Sequence, residues 1–570
     1  MATPPFNSAP PSAARPEAPE PRLRRRDAHR LGAGVVAGVV AGGLPHLAPA
    51  FGPATSIAQA AALAAPNSTP LASVDAADAF GLNESFRSRS FGERSGAAWT
   101  RWTVQWFNVQ PQPGEFNVHS FRDDRGRSVL EETVQRGTKV AAMVLGTPEW
   151  AAETPGLKTG TSVPRGLYAP VFVDGKPNPE NTWGAFMFQL AGAYKGLMDV
   201  FEIWNEVEIP ATGSAAIYST WAGSPEQYYQ LLKVASLAAK AANPGATIVT
   251  SPYSYFKDKE EAKGNATPWF DAFGAAVRAD PLGASVFDVF ALNLYRNPHD
   301  LWDRMHGGVP QAFERADRTG FRERLASIGA GGKPVWLTEI NSMPYDDEVP
   351  GWSPSVKNDY FRITMEEQAS YVIQAYAVAL TAGYQRVFFQ ALQDDAYPVP
   401  DELWGLVRYN GDRQNADEGR VRPAYVAYQL AAKYMGNADW SRLYIKSRPD
   451  TKNQKQYASR FEWAGHLAVF QKGDRRTYVL WNGTEQPLSV GLPSWGAGAK
   501  VVDKHGVEAA LPTIAGKLTV ALSAATTHFQ HPVFGKDPDG YFYVGGPPLL
   551  VVEEGVPADA PVEVAGFFLA

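Results

Sequence analysis

Cysteine is absent from the 570 residues, which removes disulfides, thiolate nucleophiles and thiolate metal ligands together. Any covalent chemistry must therefore run through oxygen or nitrogen. Long apolar runs are missing as well. A spanning helix needs about 20 uninterrupted apolar residues, and the weakly apolar Gly/Ala/Val stretch near the N-terminus is broken by Pro45, Pro49 and Pro53. Excess positive charge is lacking too. The formal net charge is -6, and the conspicuous basic cluster, Arg22 with Arg24, Arg25 and Arg26, lies at the extreme N-terminus rather than on a folded face, so no nucleic-acid partner is expected. His-Glu-x-x-His, Walker, EF-hand and Gly-x-Ser-x-Gly patterns do not occur. His528 and His531 fall in an expected strand, where odd spacing turns them to opposite faces, so no metal site is expected there.

What is present describes a globular chain. Hydrophobic residues make up 45% and charged residues 20%, enough for a sizeable core. The length predicts two or three folding units, one of which could be a large barrel. Aromatics stand at 12% with 16 Trp, a supply that serves both cores and sugar-stacking surfaces. Residues 1–60 combine a basic start, an apolar stretch and an A-x-A site at Ala58-Gln59-Ala60, which is the order of an export signal, leaving no membrane span after cleavage. The arginine run resembles a twin-arginine signal, although "DAHR" stands where an apolar pair is expected. "GAGVVA" matches a dinucleotide-binding glycine pattern, but an arginine run precedes it where a strand is required. Residues 61–76 read as a linker.

From 77 to 440 the chain repeats one rhythm: a short apolar β-rich run, a loop, then an Ala/Leu-rich helical stretch. Strands are expected at "FGLNES", "WTRWTVQW", "KVAAMVL", "DVFEIWN", "ATIVTSP", "FDVFALNLY", "PVWLTEI" and "RVFFQAL". Helical patterns such as "SPEQYYQLLKVASLAAKAANPG" separate them, with a Ser-Pro start and an Asn-Pro-Gly stop. The alternation predicts an α/β fold, a (β/α)8 TIM barrel. Residues 441–570 change texture to short alternating strands between Gly, Asn, Asp and Pro turns, predicting a C-terminal all-β sandwich-like domain. The final "YFYVGGPPLLVVEEGVPADAPVEVAGFFLA" offers extra strands without a clear place.

"VFEIWNEVEIP" carries Glu202, Glu206 and Glu208 in or beside an apolar run, where a desolvated carboxylate costs several kcal/mol unless it is partnered. Glu206 directly follows the fourth strand, and Glu339 in "WLTE" ends the seventh. In a barrel both would face the C-terminal mouth from opposite walls. A lone acid there is commonly a loop salt bridge, but two suit glycosidic cleavage, with carboxyl groups about 5 to 5.5 Å apart for retention. Regular alternation would put Glu202, Trp204 and Glu206 on one face. Glu202 would then be a deeper structural acid and Glu208 a loop charge.

"IWNE" with "WLTE" resembles clan A of the glycoside hydrolases. "WTRWTVQWFNVQPQPGEFNVHSF", "LGTPEWAA", "FDVFALNLY" and "LWGLVRYNGDRQNADEGRVRPAYVAYQL" extend the likeness over most of residues 78–437 to family 39 and its exopolysaccharide-degrading relatives. The resemblance implies a retaining two-glutamate glycosidase acting on a carbohydrate substrate and needing no cofactor. It casts Glu206 as acid/base and Glu339 as nucleophile. Asn205 would bond the sugar 2-hydroxyl, Arg101 would hold the nucleophile ionised, and Tyr295 would orient it. Many clan members end strand eight with a tryptophan platform, whereas this chain has Phe389 and Gln390. The platform would then be phenyl, or come from Trp150 or Trp404. "VLWNGTEQP" resembles the accessory sandwich of family 39. A catalytically silent carbohydrate-binding surface protein and a transglycosylase remain as alternative readings.

Overall fold

The structure is a computed structural model. It describes residues 69–117, 121–122, 128–158, 160–210, 219–254, 268–295, 298, 300–306, 320–344, 346–347, 362–394, 403–408, 421–449, 463–484, 486–525 and 544–564, all within one compact unit, Thr55–Ala570. The expected export signal, the first part of the linker, and His528 and His531 lie outside the described residues.

Eight parallel strands form one sheet: β1 (Ala77–Asn83), β2 (Ala97–Gln105), β3 (Lys139–Leu145), β4 (Val200–Ile203), β5 (Thr247–Val249), β6 (Phe290–Asn293), β7 (Val335–Ile340) and β8 (Tyr384–Phe389). Their order in space is β5-β4-β3-β2-β1-β8-β7-β6. The two ends meet through Val249 opposite Val289 and Tyr253 opposite Leu292, so the sheet closes into a barrel. A helix follows each strand: α1 (Arg89–Arg94), α2 (Val129–Gln135), α3 (Thr182–Ala193), α4 (Pro225–Ala242), α5 (Pro268–Ala279), α6 (Phe321–Ser327), α7 (Met365–Thr381) and α8 (Pro423–Met435).

Local sequence explains these boundaries. Ser224 caps α4 by accepting from Gln227 N while Gln227 reaches back to Ser224 N, and Pro225 supplies the preset first turn. Thr364 and Glu367 form the same reciprocal cap on α7. Along the strands, alternate side chains part. Phe80, Trp102, Val144, Phe201 and Leu292 join the helix layer. Trp99, Ala141, Val249, Ala291, Trp336 and Phe388 fill the barrel's inside.

The second region is antiparallel. β9 (Tyr444–Pro449), β10 (Trp463–Lys472), β11 (Arg475–Asn482), β12 (Leu488–Pro493), β13 (Gly498–Val502), β14 (Glu508–Leu511), β15 (Lys517–Leu522) and β16 (Leu549–Glu554) build a six-stranded sheet, β9-β10-β11-β16-β13-β14, and a two-stranded sheet, β12-β15. Leu467, Val469, Tyr478, Leu480 and Val551 of the large sheet meet Val490, Leu492, Leu518 and Val520 of the small one. The intervening Ala468, Phe470, Val479, Trp481, Leu550 and Val552 face the other way, into the barrel's own apolar cluster. The C-terminal stretch without a clear place in the sequence thus supplies β16, a central strand paired to both β11 and β13.

Candidate active site

Toward the C-terminal ends of the strands, Arg101, midway along β2, is the hub. Its Nε and Nη2 donate to Oε1 of Glu202 at 3.0 and 2.5 Å, its Nη1 donates to Oε1 of Glu339 at 2.5 Å, and its Nη2 also donates to Oδ1 of Asn205 at 3.0 Å. Side-chain exposure is 4% for Arg101, 1% for Glu202 and 13% for Glu339. A planar guanidinium can satisfy several acceptors at once, which a point-charge ammonium cannot. Tyr295 donates its hydroxyl to the other oxygen of Glu339 at 2.6 Å. Both Glu339 oxygens therefore accept from donors, the pattern that suits an ionised carboxylate, which has only acceptors to offer.

The path that brings Glu339 inward is a bulge. Trp336 faces in and Leu337 out, so plain alternation with Thr338 inward would turn Glu339 to the helices. Register shifts on both sides of β7, between Leu292 and Asn293 of β6 and between Val387 and Phe389 of β8, set two β7 residues against one on each neighbour. An extra residue of this kind re-aims a side chain. Thr338 donates to Oδ1 of Asn293 at 2.9 Å while Glu339 reaches Arg101 and Tyr295.

Glu206 reaches its place by a different route. The expectation that Glu202, Trp204 and Glu206 share one strand face is corrected here: β4 ends at Ile203, and Trp204 (φ 74°) and Glu206 (φ 44°) both take left-handed backbone. The strand periodicity ends with that turn. Trp204 packs with Trp183 and Trp221 at ring distances of 5.9 and 5.1 Å and donates Nε1 to Thr220 O at 2.7 Å. Glu206 accepts from Asn293 Nδ2 at 2.9 Å. Burial, the Glu339 charge and the Glu208 charge push the Glu206 carboxyl up to about 8. Glu208, on the loop, accepts from Ser254 N and Oγ at 2.5 and 2.6 Å. Burial likewise pushes Glu202 up to about 7 against the pull of Arg101. Glu202 lies deep, as expected, with its Oε1 held by Arg101.

The remaining sequence candidates divide. Trp404 is 9% exposed and its ring lies 4.9 Å from that of Tyr295, so it walls the side of the site next to Glu339. Gln390 also belongs: its Oε1 accepts from Asn83 Nδ2 at 2.7 Å, and Asn83 also donates to Thr338 O at 3.2 Å. Phe389 does not, and the idea of a phenyl platform is corrected. Phe388 points into the barrel, so alternation turns Phe389 outward, fully buried and stacked on Tyr376 at 5.4 Å. Trp150 donates Nε1 to Gln110 O at 3.0 Å and sets its ring edge-on to Trp106 at 6.0 Å, packing loop against loop. Asn293 was missed by the sequence reading. Its signal was a polar residue ending an apolar strand, "FALN", the same signal that singled out the acids, but without a charge.

An ion network supports the wall. Arg422, fully buried at the start of α8, donates to Asp347 at 2.7 Å and to both Asp394 oxygens at 2.8 Å. Asp394 accepts from Gly405 N at 2.8 Å, and Asn341 Nδ2 donates to the carbonyls of Gln390 and Trp404 at 2.5 and 2.6 Å. The segment carrying Trp404 is thereby tied to β7, β8 and α8.

No family model and no curated protein matches this sequence. Among solved structures, the chain is similar to a family 39 glycoside hydrolase from the gut symbiont Bacteroides cellulosilyticus WH2, at 16% identity and a TM-score of 0.51 over 86% of this chain and 82% of that one. The two share a fold. Further likenesses are to the catalytic domain of a family 30 xylanase C from Talaromyces cellulolyticus (10% identity, 86% and 99% covered, TM-score 0.49) and to a family 39 β-xylosidase from Caulobacter crescentus (16%, 85% and 97%, 0.46).

Proposed function

We propose that this chain is a retaining glycoside hydrolase acting on a polysaccharide or oligosaccharide, and that it is exported. The observation that carries the reading is the contrast between two glutamates at one barrel mouth. Glu339 is held by an arginine and a tyrosine hydroxyl, whereas the Glu206 carboxyl is pushed up to about 8 and keeps its proton near neutrality. Glycosidic cleavage needs one of each.

In the first step Glu206 gives its proton to the departing glycosidic oxygen as Glu339 Oε2 attacks the anomeric carbon, which leaves a glycosyl ester on Glu339. Tyr295 and Arg101 hold the attacking group in line. Glu206, now ionised, takes a proton from water, whose oxygen attacks the same carbon and releases the sugar with its starting configuration and Glu339 free. Asn205, fixed by Arg101, is placed to bond the hydroxyl next to that carbon, and Trp404 and Gln390 line the sugar's seat. An acceptor sugar in place of water would give transfer from the same residues.

The test is Glu339→Ala. Turnover of an activated aryl glycoside should fall to background, and added azide should restore a glycosyl azide of inverted configuration. Undiminished activity in that variant would sink the proposal. Export is checked separately, by the N-terminal sequence of protein recovered outside the cell, which should begin just after Ala60.

A further inference from the structure

At the far end of the barrel from Glu206 and Glu339, the turns entering β7 and β8 border an open cavity of about 300 Å³, at the small end of the roughly 300 to 1,000 Å³ typical of ligand pockets. Arg322 of α6, Gly332 and Lys333 before β7, Gln385 of β8 and Trp440 line it. Two of these are cations. Arg322 donates to the carbonyls of Lys333 and Gly383 at 2.8 and 3.1 Å, and Lys333 donates to the carbonyl of Phe287 at 2.7 Å. Among the described residues neither cation forms an ion pair. The nearby Asp288 is already engaged, accepting from Lys240 at 2.9 Å and Ile248 N at 2.8 Å. Burial holds both cations below their ordinary values, Lys240 pushing Lys333 further down and Asp288 pulling it up. An anion would relieve that cost. Each cation also keeps N–H donors beyond those spent on carbonyls.

Trp440 supplies the other half of a binding surface. It is 50% exposed, yet its turn is fixed: Asp439 accepts from Ser441 N at 2.9 Å and donates its own N–H to Gln471 O of β10 at 2.8 Å. A half-exposed indole on a fixed turn beside cations suits a ring with one apolar face and a negative group on its edge.

We propose that this cavity is a second glycan site, at the base of the barrel, that binds an acidic sugar residue of the hexuronate class with its ring against Trp440 and its carboxylate between Arg322 and Lys333. The choice of a sugar among anionic rings rests on the glycosidase reading. The role follows from distance: a polymer held at the base raises the local concentration of its other segments at the mouth.

The experiment uses full-length Glu339→Ala protein, titrated calorimetrically with trimers of galacturonate, glucuronate and mannuronate, and with cellotriose as the neutral control. At least one uronate trimer should bind, tenfold or more tightly than cellotriose and more weakly as salt rises. Trp440→Ala and Arg322→Gln should each weaken it at least tenfold. Gly332→Glu, where an added Cβ meets no atom within 4 Å, should block it by placing a carboxylate beside the cations. Unchanged melting temperatures would show these surface variants folded. No binding by any uronate trimer, equal binding of cellotriose, or indifference to all three substitutions would overturn the site. Hydrolytic activity without uronate binding would remove this proposal alone, and uronate binding by a chain that cleaves no glycoside would remove the catalytic one alone.

Discussion

In the proposed mechanism surroundings, not residue type, assign Glu206 and Glu339 their chemical tasks. With Glu206 raised to about 8, kcat/KM on an unactivated oligosaccharide should decline as pH climbs through that value, because the proposed general acid has lost its proton. Asn293 tunes this limb. Its amide bond to Glu206 favours the ionised form and so pulls the value down. Asn293→Ala should therefore move the basic limb to higher pH, while the rate below the limb falls about tenfold as the acid loses its orientation. A pH–rate profile decides it: an unmoved or lowered limb contradicts the role. The same shift bears on stability with a definite sign. A carboxyl raised from 4.5 stabilises the fold fully below that value and loses the contribution as pH rises through about 8. Glu206→Gln should accordingly melt higher than the parent at about pH 9 and level with it at about pH 4. Thermal scans at the two pH values test this.

The elements carry the site through their ends, and here sequence and structure part company in an instructive way. Eight strands and most helices could be read because apolar runs, caps and breakers are local signals: Ser224, Pro225 and Gln227 mark the start of α4 in the sequence as plainly as in space. The β7 bulge and the left-handed turn at Trp204 and Glu206 could not be read, because each depends on what the neighbouring chain offers rather than on the residues themselves. Phe389 was misjudged for the same reason, since an inward or outward face is fixed by register, not by composition. Arg422 was invisible as a support because its partners, Asp347 and Asp394, lie far off in sequence. Its predicted importance is nonetheless large. Removing Arg422 leaves Asp394 buried without its cation, while Asp347 keeps Arg408 at 2.9 Å, and stranding one buried charge costs about 3 to 5 kcal/mol. Arg422→Met should lower stability by that order. Arg422→Lys, which keeps the charge but not the fork of donors, should lower it less and should raise KM through a displaced Trp404. Chemical denaturation and steady-state kinetics on the two variants test both statements, and a Met variant as stable as the parent would contradict them.

At the scale of the whole molecule, the β region is not an appendage. Phe470, Trp481, Leu550 and Val552 of its large sheet belong to the same apolar cluster as the barrel's helix layer. Polar ties reinforce the seam: Gln374 of α7 donates to Gly546 O at 3.0 Å, and Glu366 pairs with Lys504 at 2.8 Å and His505 at 3.1 Å. Two regions that share a desolvated core unfold together, because separating them exposes apolar surface on both. Calorimetry of the full chain should thus show one transition for residues 69–564, and a chain ending at residue 440 should be recovered mainly as aggregate. The seam also has a pH signature. Hydrogen bonds and charge from His505 and Lys504 outweigh burial and hold the Glu366 carboxyl down at about 2, so its contribution is present above its ordinary value of 4.5 and disappears as pH falls through about 2. Glu366→Gln should lower the melting temperature near neutral pH and leave it unchanged at about pH 2, with only a small effect because the side chain is 47% exposed and solvent screens it. Two separate transitions in the full chain, or a soluble and fully active barrel without the β region, would show that the shared cluster does not couple the two halves.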